Sequence, residues 1–88
     1  MMNLTDIIKD RLATLEPTHL EIQDDSAAHA GHRGNMGGGH FSVTITSSHF
    51  SEKPQIIRHR LIYQALGDLI PQKIHALSII AISPNDPI

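Results

Sequence analysis

Residues 41–82, FSVTITSSHFSEKPQIIRHRLIYQALGDLIPQKIHALSIIAI, decide the fold, because hydrophobic periodicity changes twice within them. Phe41, Val43 and Ile45 alternate with Ser42, Thr44 and Thr46, the period-two signature of a strand with one buried face. From Pro54 the period lengthens. Ile57, Leu61, Ala65 and Leu69 recur every four residues, flanked by Ile62 and Leu66, which predicts a helical segment begun by Pro54, weakened at Gly67, a point of division into two pieces, and stopped by Pro71. Ile74 to Ile82 is then a nearly continuous apolar run with only His75 and Ser78 polar. It reads as a strand covered on both faces. A strand, a helix and a strand in this order form a β-α-β unit. Its strands run parallel, with a right-handed crossover.

Upstream, Leu4, Ile7, Ile8, Leu12 and Leu15 share one helical face, with Asn3 as N-cap, Asp6 in the first turn and Pro17 past the end. Arg11 lies near that apolar stripe and is expected to extend its charged head to water. His19 to Asp24 alternates as a half-buried strand. The order αββ, helical segment, β specifies an α+β domain: a three-stranded mixed sheet with helices packed on it. The whole chain, residues 1–88, reads as a single domain with a loose tail over residues 83–88.

Composition narrows the function. Eighty-eight residues without cysteine offer no disulfide, no thiolate ligand and no sulfur nucleophile. A net charge of −2 argues against strong non-specific nucleic-acid binding. The N-terminus MMNLTDIIKD has neither a basic n-region nor an apolar h-region, so no secretory signal is expected. No run reaches the ~18–20 apolar residues of a membrane span. A soluble, cytoplasmic protein is expected. No nucleophile stands beside a His with an orienting acid, so the chain reads as a non-enzyme.

The segment between the first two strands is unusual. HAGHRGNMGGGHF, residues 29–41, places three of seven histidines among five glycines, with no helical or strand period. A loop of this length joining paired strands exceeds what a hairpin needs. It is no phosphate loop, since it lacks the Lys-Ser/Thr ending and precedes a strand. Strand one ends and strand two begins at one edge of the sheet, and a parallel third strand starts at that same edge. Chain direction alone therefore brings His29, His32, His40 and His75 to one rim, and sends His49 and His19 to the other end. A histidine in a glycine-rich loop is by itself an ordinary exposed side chain, and His40 by itself a strand residue. Grouped imidazoles are also ligands for Zn, Cu, Fe and Ni. Two of them can hold one iron of an iron–sulfur cluster whose thiolates come from elsewhere.

Four stretches, HAGHRGNMGGGHF, FSVTITSSHF, IIRHRLIYQALGDLI and KIHALSI, make the chain resemble the BolA family from Leu4 to about Ser83. The resemblance implies an αββααβ fold similar to class II KH domains. It also implies a non-enzymatic partner of monothiol glutaredoxins, in a heterodimer that bridges a [2Fe-2S] cluster for iron–sulfur trafficking or iron regulation. Glutaredoxin and glutathione then supply two thiolates. This chain supplies His75 and a loop histidine, His29 or, as the alternative, His32. Some members of the family are transcriptional regulators, so a DNA-binding role through Arg58 and Arg60, with Lys53 and Lys73 behind them, is a second expectation. Against it, Arg58 and Arg60 are two apart on a helix and face different directions, and Arg58 falls in the apolar arc, where pairing with an internal acid is expected. A homodimer of the free protein is compatible with these features. Where many relatives carry Gly in the turn after strand two, this chain has Glu52.

Overall fold

The computed structural model describes residues 3–25 and 39–87. Helix α1 (Leu4–Leu12) leads through a single 3-10 turn to strand β1 (His19–Asp24), and strand β2 (Gly39–Thr46) follows. After a second 3-10 turn come helix α2 (Gln55–Leu66), the short helix α3 (Leu69–Gln72) and strand β3 (Ile74–Ile82). The sheet order is β1-β2-β3, with β1 antiparallel and β3 parallel to the central β2. This is the three-stranded mixed sheet that the periodicity predicts.

Both long helices lie on one face of the sheet. Asn3 caps α1, its side chain accepting from the Asp6 amide at 2.9 Å. Ile8 and Leu12 are completely buried against Val43 and Ile45 of β2 and Ile62 and Leu66 of α2. Each such side chain contributes about 1.5–3 kcal/mol relative to exposure. Arg11 does not simply extend to water. Its Nη1 reaches across to α2, donating to the Leu66 carbonyl and to the Asp68 carboxylate, both at 3.1 Å. A cation there satisfies a carbonyl left open at the helix C-terminus.

The deep face of α2 is Arg58, Ile62 and Leu66, one position round from the Ile57–Leu61–Ala65 row, whose members are half-buried. Gly67, at φ +52°, divides the helical segment in two and so ends α2 before Pro71 is reached. Only a residue without a Cβ turns the chain cheaply at that point, and its amide closes the last turn on the Tyr63 carbonyl. Pro71 instead sits inside α3.

Two further expectations are corrected. Strand β3 is not covered on both faces. It is an edge strand with helices on one side, and Ile80 on the other side is 59% exposed. Nor is the tail loose over its described part. Ser83 is buried, and Asp86 grips the Arg58 guanidinium with both oxygens, at 2.6 and 2.7 Å. Arg58 also donates to the Lys53 and Ala81 carbonyls, and Asp86 accepts from the Ser83 amide at 2.9 Å. The guanidinium is thereby satisfied inside the fold and joins α2, the end of β3 and the tail. Among the described residues no buried side-chain nitrogen or oxygen lacks a partner. In the turn before α2, Glu52 stands at φ +61°, a left-handed conformation that a glycine adopts without strain.

Hydrogen bonds from Arg58, and then from the Ser83 amide, hold the Asp86 carboxyl at about 2, below the ordinary 3.8. The unfolded chain therefore binds more protons in the window between these values. The clamp's contribution is complete above the unfolded value and is lost as pH falls through about 4 to 2. Asp86→Asn should lower the melting temperature at pH 7, with the gap to the parent protein narrowing as pH is lowered to 2.5. A gap that stays constant across this range would contradict the clamp.

Candidate metal-ligand rim

The parallel ladder between β2 and β3 has one irregularity. Gly39 pairs with Ile74 but His40 pairs with Ala76, so His75 has no residue opposite it. The extra residue shifts the phase of β3. Ile74 faces the helices and is buried, and the next inward positions are Leu77, Ile79 and Ala81, opposite Phe41, Val43 and Ile45. Strict alternation from Ile74 would have sent Ala76 inward. A bulge of this kind re-aims a side chain at a sheet end, and here it leaves His75 exposed.

His40 lies on the open face of β2, in phase with Ser42, Thr44 and Thr46, and is half-buried. Its ring and that of His75 stand 5.6 Å apart, centre to centre, tilted by 44°. The backbone around them is tied down. The Asp25 amide donates to the His40 carbonyl at 2.7 Å, and the Gly39 amide to the Lys73 carbonyl at 3.0 Å. Ser42 Oγ donates to the Asp25 carboxylate at 2.5 Å. Residues 25 and 39 therefore meet the sheet at the rim that carries both histidines.

Gly39 is required by packing. A Cβ there would run into the Phe41 ring and come within 3.2 Å of the Lys73 carbonyl. Phe41 is buried, so its ring has little room to yield.

Of the residues singled out from sequence, the structure brings His40 and His75 together at the predicted rim. His29 and His32 lie outside the described residues. His49 sits in the turn after β2, 3.0 Å from Glu16, and His19 pairs with Thr46 at that same far end of the sheet. Arg58, one of the cations considered for nucleic acid, is spent inside the fold on Asp86 and does not present its charge outward. Arg60 is exposed, Lys53 half-buried and Lys73 exposed. A concavity of about 360 Å³ between β1 and β2, lined by Glu21, Ile22, Gln23, Ser42 and Thr44, includes neither rim histidine. Among the described residues no group of three or more His, Cys, Asp or Glu could hold a metal ion, and no helix is long and apolar enough to cross a membrane. His40 is a strand residue of β2, as its alternation with Phe41 predicts; the bulge beside it is what the sequence did not reveal. The missed signal is the odd spacing from Ile74 to Leu77.

Comparison with known proteins adds the following. The family profile "BolA-like protein" matches residues 12–86. SufE-like protein 1, chloroplastic/mitochondrial, of Arabidopsis thaliana is 43% identical over 78 residues, covering 82% of this chain and 21% of that protein. Protein BOLA1, chloroplastic, of the same plant is 41% identical over 76 residues, covering 82% of this chain and 48% of the relative. This chain thus spans less than half the length of either. The solved structure of BolA1 from Arabidopsis thaliana superposes with a TM-score of 0.82 at 36% identity, covering 99% of both chains. A Vibrio cholerae protein named DNA-binding transcriptional regulator BolA is 35% identical over 77 residues, 86% of this chain and 71% of its own length.

Replacing Gly39 tests the packing at this rim. Gly39→Ala should destabilise the fold by about 1–3 kcal/mol through overpacking against Phe41, read by urea unfolding. Undiminished stability would show that the strands have slack where none is described.

Proposed function

The chain belongs to the BolA-like protein family, and on that premise we propose that it is a non-enzymatic adaptor that binds a monothiol glutaredoxin. In this reading the pair shares a glutathione-ligated [2Fe-2S] cluster, to which this chain contributes His75 and a loop histidine, His29 or His32, in iron–sulfur trafficking or iron regulation. The observation that carries the proposal is the bulge at His75. It holds an imidazole outward at the rim where residues 25 and 39, the flanks of the histidine-bearing segment, are fastened. The donor set fits such a cluster. A chain without cysteine can contribute only imidazole nitrogens of the usual cluster ligands, so the thiolates have to come from the glutaredoxin and glutathione. Two imidazoles on one iron give a more labile and less reducing cluster than four thiolates.

A second reading, a DNA-binding regulator, draws on the name of the Vibrio cholerae relative. It has less support here. Arg58 is engaged by Asp86, leaving exposed Arg60 and Lys73 and half-buried Lys53 on a chain with a net charge of −2.

Reconstitution with a monothiol glutaredoxin, glutathione, iron and sulfide tests the adaptor reading. The complex should show visible charge-transfer bands that change in position and lability with His75→Ala, and with one of His29→Ala or His32→Ala. Bands identical to the parent's in the His75→Ala complex would remove His75 from the ligand set.

A further inference from the structure

We propose that His40 and His75 together form a bis-imidazole site for one divalent transition-metal ion, of the Zn²⁺, Ni²⁺ or Cu²⁺ class, in the free protein. The geometry carries the inference. With nitrogen–metal bonds of ~2.0–2.1 Å, each ring centre stands about 3.2 Å from a shared ion. The two centres are then roughly 4.5 Å apart at a right angle and about 6.4 Å when the nitrogens oppose each other. The observed 5.6 Å falls inside this range, and the rings are tilted rather than stacked. Neutral imidazole suits these borderline ions better than it suits Mg²⁺ or Ca²⁺.

The site is preorganised by the sheet. His40 follows Gly39, which is tied to Lys73, and precedes buried Phe41. His75 follows buried Ile74 and is turned toward His40 by the unpaired step in β3. A metal site on strands is held more closely than one on a loop. Among the described residues no third side-chain ligand joins the two imidazoles, so the pair by itself leaves positions on the ion open. The inference is independent of the adaptor reading, since it needs neither glutaredoxin nor iron, and its failure leaves that reading untouched.

Zn²⁺ titrated into the tag-free full chain and followed by calorimetry tests it, with circular dichroism confirming that each variant is folded. The parent should bind one ion saturably. His40→Ala, His40→Gln and His75→Ala should each weaken binding at least about tenfold, while the double variant His19→Ala/His49→Ala stays within about threefold of the parent. The proposal is overturned by any one of three results. These are no saturable binding by the parent, near-parental affinity in a folded His40 variant, or a comparable loss in the His19→Ala/His49→Ala variant.

Discussion

One unpaired residue in a parallel ladder governs the histidine-bearing rim of this molecule. Central strand β2 keeps perfect alternation, with Phe41, Val43 and Ile45 inward, and β3 must bring Leu77, Ile79 and Ala81 opposite them to close the core. Ile74 must also be inward, beneath the start of the sheet. Four inward residues at 74, 77, 79 and 81 cannot all be met by a period of two. The chain meets them by letting His75 out of register. The hydrophobic demand at Ile74 is thus what turns the His75 imidazole outward, and core packing and the exposure of that side chain become one constraint.

The opposite end of the domain is closed by polar chemistry. Arg58 occupies a position on α2 that Ile62 and Leu66 continue as apolar, and burying a guanidinium there is tolerable only because its donors are met. Asp86 supplies the charge, and the Lys53 and Ala81 carbonyls supply the rest. Ser47, also buried, donates to the Leu15 carbonyl at 2.5 Å and so fastens the turn after β2 to the end of the α1 segment. Arg11 performs a similar task at the other end of α2, beside the turn into α3.

How much of this is legible without coordinates follows from what each signal encodes. The element order and the mixed sheet are readable because periods of two and about four alternate cleanly in Phe41–Thr46 and Ile57–Leu69, and because parallel crossovers have one hand. Chain direction alone places His40 and His75 at one rim and His49 at the other. The bulge is hidden because IHALSIIAI is apolar at almost every position, so a change of phase leaves little mark in the composition. The same uniformity conceals that β3 is an edge strand with Ile80 exposed. Gly67 ends α2 ahead of Pro71 because its positive φ, cheap only without a Cβ, turns the chain out of the helix first. The grip of Asp86 on Arg58 joins residues 28 positions apart. The apolar arc shows that Arg58 needs an acid, without showing which one.

The central claim is that the register step at His75 turns its imidazole toward His40. Nuclear Overhauser contacts in the isolated protein at neutral pH test it most directly. The account predicts cross-strand contacts for Gly39 with Ile74 and for His40 with Ala76, none from a β2 partner to the His75 backbone, and ring-to-ring contacts between His40 and His75. An unbroken ladder with Gly39 opposite His75, and the His75 ring directed to the helical face, would contradict it.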